Sequence, residues 1–153
     1  MKHRVKVFFD GGARPNPGTM EIAVVAAGQT YIQHDVGHGT NTDAEWLALI
    51  AAFTIAQSLG STNFVLIGDA AGVVGQANGT MKCRRTSIRY RDAFRLLVSA
   101  NSPPRIRHVK RSHNLAGIAL AGLHGARGTC RPAAVVAPLG EMRQRHVAPD
   151  PLQ

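Results

Sequence analysis

The chain has 153 residues, of which 44% are hydrophobic and 18% charged, so it can bury one core and is too apolar for a disordered chain. Its net charge of +9 favours a polyanionic partner, most often nucleic acid. No apolar run approaches the ~18–20 residues of a membrane span, and no secretory signal is visible, so we expect a cytoplasmic protein. The two cysteines, Cys83 and Cys130, suit neither a disulfide framework nor a zinc site and are expected as reduced thiols.

The charge is distributed unevenly along the chain. Residues 1–80 carry four basic and six acidic side chains, a net charge of −2. Residues 81–153 carry fourteen basic and three acidic side chains, a net charge of +11. The acidic half could hold metal ions while the basic half holds phosphates, and the alternative is a mixed solvated surface.

The first part of the chain predicts three strands. Alternation of apolar and polar residues over 4–10 predicts the first of them. The segment 11–18 is rich in Gly, Pro and Asn and predicts a turn. Segments 20–27 and 30–36 predict two more strands, joined by a tight turn at 28–29.

A helix and a buried strand are expected next. Thr42 or Asp43 can cap a helix that runs to about Ser58. Four apolar side chains at helical spacing form its predicted core face: Trp46, Leu49, Ile50 and Phe53. The continuous apolar run 64–68 predicts a strand that is buried on both faces, as in a parallel sheet, and Asp69 follows its last residue.

The rest of the chain predicts three helices and one strand. Helices are expected over 70–77 and 87–100, a strand over 105–110, and a last helix over 114–124. The order β-β-β-α-β-α-α-β-α predicts an α/β fold with a mixed sheet flanked by helices.

We expect one domain over residues 1–126. Four prolines and scattered charges predict a loosely ordered tail over 127–153. We expect the protein to be a monomer.

Three of the nine acidic residues stand where predicted elements begin or end: Asp10, Glu45 and Asp69. Asp10 and Asp69 follow two strands that could be parallel neighbours, linked through the helix that carries Glu45. A right-handed crossover would bring that helix over the sheet, so the three carboxylates could converge. Gathered carboxylates need a cation, and Mg²⁺ prefers oxygen ligands. The alternative for each residue alone is an acid that serves capping or solubility.

Three sequence motifs resemble those of the type 1 ribonuclease H family. The first is Phe-Asp-Gly-Gly-Ala-Arg-Pro-Asn-Pro-Gly at residues 9–18. The second is Thr-Asn-Thr-Asp-Ala-Glu at 40–45, and the third is Ile-Gly-Asp-Ala-Ala-Gly-Val-Val-Gly-Gln-Ala-Asn-Gly at 67–79. The resemblance covers residues 4–124 and implies a ribonuclease H-like fold with a five-stranded mixed sheet.

The resemblance implies an activity and a set of site residues. It implies Mg²⁺- or Mn²⁺-dependent endonucleolytic cleavage of the RNA strand in RNA–DNA hybrids, with two ions present when substrate is bound. Asp10 would bridge both ions, and Glu45 and Asp69 would complete the site for the second. The residues that would contact the hybrid are Gly11, Gly12, Asn16, Thr40 and Asn41.

The chain departs from the family pattern at the start of the last predicted helix. The family places a fourth metal-binding Asp where this chain has Ile118, and no acidic residue lies between Asp92 and Glu141. If the motif placement is right, Ile118 points toward Asp10; the alternative is that it belongs to the core. We expect His113, in the preceding loop, to be solvated.

The family's inserted basic helix is also missing, so a basic segment of this chain could supply the phosphate contacts instead. The alternative is a solvated helix face. The segment contains Arg84, Arg85, Arg89, Arg91 and Arg95.

Two other functions stay open. The first is a protein that binds hybrid or other nucleic acid with weak or no catalysis, which the apolar Ile118 favours. The second is another nuclease of the same superfamily, such as a junction resolvase. The motifs at residues 9–18 and 40–45 argue against it, because they belong to the hybrid-cleaving branch.

Overall fold

The computed structural model describes residues 3–125, which form a mixed sheet with helices on both faces. The strands are β1 (Val5–Arg14), β2 (Gly18–Ala26), β3 (Gln29–Gln33), β4 (His38–Gly39), β5 (Phe64–Gly68) and β6 (Arg105–His108). The helices are α1 (Asn41–Ser58), α2 (Ala71–Ala77), α3 (Ile88–Val98) and α4 (Leu115–Gly125). The predicted α/β class is confirmed.

The main path of the sheet has five strands in the order β3-β2-β1-β5-β6, and the two-residue β4 pairs with β2 as a sixth. The pairs β1–β2 and β2–β3 are antiparallel, whereas β1–β5 and β5–β6 are parallel. The predicted five-stranded mixed sheet therefore matches the main path, and the sequence analysis missed β4.

Helices α1 and α4 cover opposite faces of the sheet. Val7 and Phe9 of β1 are buried in the larger core with α1, whose predicted core face is buried throughout. Phe8 lies on the opposite face of β1, where it packs in a smaller core with Ala116 and Leu120 of α4. Because side chains alternate across a strand, β1 supplies one set of residues to each layer.

Two predicted boundaries, one in the first motif and one in the second, are wrong. Residues 11–14 continue β1, because they pair with β2 from Gly11↔Ile22 to Arg14↔Thr19, and the turn is confined to 15–17. Ladder hydrogen bonds thus outweigh the low strand propensity of glycine. The N-cap of α1 is Thr40 rather than Thr42 or Asp43, and it forms a capping box with Asp43.

In the second half of the chain, the element boundaries lie closer to those predicted from the sequence. Strand β6 ends at His108, and α3 begins at Ile88 after a 3₁₀ turn. None of the helices described is long and apolar enough to cross a membrane. Cys83 is a free thiol, whereas Cys130 and the predicted tail 127–153 lie outside the described residues.

Helix α1 approaches β1 most closely at Gly11. A Cβ atom on Gly11 would lie 2.3 Å from the backbone oxygen of Ala44 and 2.9 Å from the backbone nitrogen of Glu45. These neighbours are backbone atoms, so they cannot move aside without displacing the helix. The missing side chain of Gly11 therefore sets the distance between α1 and the sheet.

Gly11→Ala should lower the free energy of unfolding by about 1–3 kcal/mol, because the added methyl group overpacks this contact. The matched control is Gly72→Ala in α2, where an added Cβ meets no atom within 4 Å. That control should leave stability unchanged or raise it by up to about 1 kcal/mol. Urea denaturation of both variants checks the prediction, and equal stabilities would contradict the importance of the contact.

Candidate metal centre and nucleic-acid interface

Three carboxylates from separate elements meet at one end of the sheet. Asp10 lies on β1, Glu45 on α1, and Asp69 directly after β5. One oxygen atom from each lies within 4.8 Å of one from each of the others, in the only such acidic or metal-ligating cluster within residues 3–125. The predicted convergence is confirmed, although Asp10 lies inside β1 rather than at its end.

The carboxylate cluster lies where the central strands β1 and β5 stop pairing. The parallel pairing of β1 with β5 ends at Phe8↔Ile67. Beyond that point the carbonyl of Phe9, next to Asp10, accepts a hydrogen bond of 2.9 Å from Asn114 Nδ2. Asn114 is fully buried at the start of α4 and so fixes this helix to the strand that carries Asp10.

The cluster holds carboxylate oxygens that lack hydrogen-bond partners. Glu45 Oε2 and Asp69 Oδ2 are buried, and no donor in the described part of the chain bonds to either. A buried carboxylate oxygen without a donor is costly unless a cation compensates it. Three hard oxygen ligands in this arrangement fit a divalent cation such as Mg²⁺ or Mn²⁺.

Burial and mutual repulsion shift the ionisation of two of these groups. Burial, followed by the nearby charges of Asp10 and Asp69, raises the pKa of Glu45 to about 10. Burial also raises the pKa of Asp10, although its hydrogen bond with Glu45 opposes that shift. Burial and the neighbouring carboxylates therefore favour a proton on the pair formed by Asp10 and Glu45 in the metal-free protein.

The sequence analysis missed one cationic residue at the site. Arg111 lies in the short turn before α4, where its Nε is 3.8 Å from Asp69 Oδ2, and its side chain is 91% exposed. Its charge acts to lower the pKa of Asp10. An exposed guanidinium beside a carboxylate cluster can attract a phosphate group. The only sequence signal was a basic residue in the loop before the last predicted helix.

Gly117 and Ile118 of α4 both line the cavity that contains Asp10. A Cβ on Gly117 would lie 3.4 Å from Asp10 Oδ2 and 3.6 Å from Asp69 Oδ2. Ile118 lines the same cavity, of about 520 Å³, but is 52% exposed. Ile118 therefore shares a cavity with Asp10, and its exposure makes the alternative that it belongs to the core wrong.

The predicted nucleic-acid contacts fall into a group around the start of α1. Asn41 Oδ1 accepts a hydrogen bond of 2.8 Å from the backbone of Ala13, and Asn16 Oδ1 accepts one of 3.1 Å from the backbone of Asn41. Both amide oxygens thus accept hydrogen bonds within the protein, so the NH₂ groups of Asn16 and Asn41 can donate to a ligand. The Thr40 hydroxyl caps α1 and keeps a proton to donate.

The two predicted glycine contacts differ. Gly11 is buried against α1, so packing against the helix accounts for its missing side chain. Gly12 lines the cavity, and a Cβ there would meet only Asn41 Oδ1 at 3.8 Å. Of the two, only Gly12 leaves open surface for a ligand.

The remaining basic residues named from the sequence lie on the surface. His113 is exposed, as expected. Arg91 is half-buried and pairs with Asp92 at 3.1 Å. The exposed members of the basic segment are Arg84, Arg85, Arg89 and Arg95.

A family model described as reverse transcriptase-like matches residues 22–124. The chain belongs to this family. One relative, the ribonuclease HI of Halobacterium salinarum, is 34% identical to this chain over 124 residues. The match covers 77% of this chain and 62% of that protein. A bifunctional protein of Mycobacterium tuberculosis is 31% identical over 105 residues, which are 65% of this chain and 28% of that protein. The chain thus spans less than two thirds of the length of either relative.

Solved structures place this family member among the ribonuclease H-like proteins. The crystal structure of RNase H1 from Halobacterium salinarum is 31% identical with a TM-score of 0.70, over 81% of this chain and all of that chain. The structure of LC11-RNase H1 in complex with an RNA/DNA hybrid is 25% identical with a TM-score of 0.65, over 73% of this chain and 89% of that chain. The implied ribonuclease H-like fold is confirmed.

The raised pKa of Glu45 predicts how the stability of the metal-free protein depends on pH. Between the ordinary carboxyl pKa of about 4.3 and the folded-state value of about 10, the metal-free folded state holds a proton that the unfolded state has lost. Its free energy of unfolding should therefore fall as pH rises through this window, by up to about 1.4 kcal/mol per pH unit.

The contribution of Glu45 is the difference between the wild type and Glu45→Gln in the slope of the free energy of unfolding against pH. The variant should lack this contribution. Asp92→Asn removes an exposed carboxylate and should keep the wild-type slope. Denaturant melts in EDTA from pH 5 to pH 9 check the difference, and parallel pH profiles for the wild type and Glu45→Gln would contradict the assignment.

Proposed function

We propose that the chain is a metal-dependent endonuclease of the type 1 ribonuclease H class, which cleaves the RNA strand of RNA–DNA hybrids. The observation that carries the proposal is the cluster of Asp10, Glu45 and Asp69, in which buried oxygens of Glu45 and Asp69 lack donors. Cleavage would leave a 3′-hydroxyl and a 5′-phosphate. The similarity to ribonuclease HI of Halobacterium salinarum supports this reaction.

The three carboxylates would hold Mg²⁺ or Mn²⁺, with two ions present when substrate is bound. Asp10, Glu45 and Asp69 would together supply the carboxylate oxygens that hold the ions. When bound, the ions supply an activated water and neutralise charge on the phosphate. Glu45 must lose its proton to act as a ligand, so metal binding at neutral pH is coupled to proton release.

The protein's own groups would bind and orient the phosphate. Arg111 reaches the cavity beside Asp69 and is exposed enough to meet a phosphate oxygen. An arginine can hold two such oxygens at once, which fixes orientation as well as position. Arg111 therefore acts to draw the backbone of the substrate toward the carboxylates.

The start of α1 would recognise the paired strands. Asn16 and Asn41 present NH₂ donors, and the minor-groove edges of all base pairs offer acceptors. The wide minor groove of an A-like duplex admits such side chains and displays the 2′-hydroxyls that distinguish RNA. Thr40 can donate its hydroxyl proton to a phosphate at the positive end of α1. Gly12 leaves room for a sugar next to Asp10.

A second candidate function is hybrid binding with weak or no catalysis. One observation favours it: helix α4 presents Gly117 and Ile118 to the cavity and carries no carboxylate. An apolar side chain cannot ligate Mg²⁺, so the ion on the side of the attacking water would have one ligand fewer. Weak ion binding would lower the rate without removing the nucleic-acid contacts.

The wild-type chain should cleave the RNA strand of a labelled RNA–DNA hybrid when Mg²⁺ or Mn²⁺ is added. Asp10→Asn should reduce the rate at least 100-fold, because it removes one of the three carboxylates that would hold the ions. Asp92→Asn, an exposed carboxylate on α3, is the matched control and should leave the rate unchanged.

Gel analysis of the labelled strand gives the rates, and a filter assay gives hybrid affinity. Tight binding with no cleavage by the wild type would favour the second candidate function. Equal cleavage by the wild type and Asp10→Asn would contradict the proposed site.

Hybrid affinity should fall as salt rises, with a slope of about one unit per phosphate contact on a log–log plot. Replacing Arg84, Arg85 and Arg89 together by Gln should reduce that slope by up to about three units. Arg4→Gln is the control, since Arg4 directly precedes β1, lies outside the basic segment and bonds to Asn63. An unchanged slope in the triple variant would mean that this surface is only solvated.

A further inference from the structure

One buried carboxylate in the cavity has no part in the proposed mechanism. Glu21 lies on β2 and is only 8% exposed. It lines the same cavity as Asp10, Glu45 and Gly117. A buried carboxylate on a cavity wall is costly to maintain without a partner, so its role needs an explanation.

The register of the sheet places Glu21 on the same face as Asp10. Asp10 pairs with Ala23, and Gly12 pairs with Glu21, so Glu21 stands diagonally across from Asp10. Diagonal neighbours in an antiparallel pair lie about 7–8 Å apart. Glu21 does not belong to the close cluster of three carboxylates found among residues 3–125. Its side chain is therefore near that cluster without sharing its centre.

Two imidazoles hold the Glu21 carboxylate. His124 Nε2, on α4, donates a hydrogen bond to Glu21 Oε1. His34 Nδ1, after β3, lies 3.4 Å from Glu21 Oε2. Glu21 forms no ion pair with Lys or Arg in the part of the chain that the structure describes. Each carboxylate oxygen has two lone pairs, so both can accept a further hydrogen bond.

We propose that Glu21 supplies, from β2, part of the function of the carboxylate that α4 lacks. This inference rests on the proposed function. Glu21 is a positioning residue: when an ion is held by Asp10, Glu21 would accept a hydrogen bond from one of the waters of that ion. Gly117 keeps this part of the cavity open, because it has no side chain beside Asp10. The two imidazoles fix the orientation of the carboxylate.

The chemistry of Mg²⁺ and Mn²⁺ sites supports this role. These ions keep several water ligands, whose hydrogen bonds must be accepted by nearby groups. Carboxylates just outside the ligand shell orient the ligands, and their loss typically weakens metal binding about 10–100-fold. The alternative is that Glu21, His34 and His124 only fasten α4 to the sheet.

The test is the affinity of the whole chain for Mn²⁺ without nucleic acid, measured by calorimetry well below each variant's melting temperature. Glu21→Gln should weaken Mn²⁺ binding about 10–100-fold. Asp35→Asn removes a nearby exposed carboxylate and should bind as the wild type does. His124→Gln keeps the carboxylate and should lose less affinity than Glu21→Gln, even where its melting temperature falls as far.

A rescue experiment separates the two explanations. Ile118→Asp adds a carboxylate at the exposed rim of the cavity, so in the Glu21→Gln background it should restore most of the lost Mn²⁺ affinity. A role in fastening α4 alone would leave Mn²⁺ affinity unchanged in Glu21→Gln, and that result overturns the inference.

Asp10→Asn distinguishes failure of the inference from failure of the proposed function. If Asp10→Asn abolishes Mn²⁺ binding while Glu21→Gln does not alter it, the metal centre stands and the role of Glu21 is wrong. If Asp10→Asn binds Mn²⁺ as the wild type does, both proposals are wrong.

Discussion

The backbone contact between helix α1 and strand β1 at Gly11 is the constraint on which the site depends. No side chain fits between Gly11 and the backbone of Ala44, so the helix lies directly on the strand. This contact brings Glu45 beside Asp10, and one turn earlier it lets Asn41 accept a hydrogen bond from β1. The candidate metal centre and the candidate nucleic-acid interface are therefore two consequences of one packing distance.

The same geometry makes the metal-free site electrostatically unfavourable. Three carboxylates lie close together, two of their buried oxygens have no donor, and the pKa of Glu45 is raised to about 10. Two contacts hold the carboxylates together: the hydrogen bond from Asn114 to the Phe9 carbonyl and the close packing of Gly11 on Ala44. Both contacts involve buried backbone atoms, which repulsion between the carboxylates does not move. A rigid fold that holds like charges together is pre-organised for a cation, because the ion binds without rearranging its ligands.

The sequence predicted the convergence of Asp10 and Asp69, because a buried apolar strand followed by an acid marks the same edge of a parallel sheet. It did not predict Arg111 or Glu21, whose distance from the site depends on a loop path and on the register between β1 and β2. Both are ordinary charged residues when only the sequence is considered. The close approach of Gly117 to Asp10 and the exposure of Ile118 likewise follow from tertiary packing and not from motif spacing.

The central claim is that the three carboxylates form a divalent-cation centre, and anomalous diffraction from crystals soaked in Mn²⁺ tests it most directly. The account predicts an anomalous peak within about 2.0–2.3 Å of oxygens from Asp10, Glu45 and Asp69, and its loss in crystals of Asp10→Asn. Wild-type crystals with no peak at the cluster, or with a peak that Asp10→Asn leaves unchanged, would contradict the account.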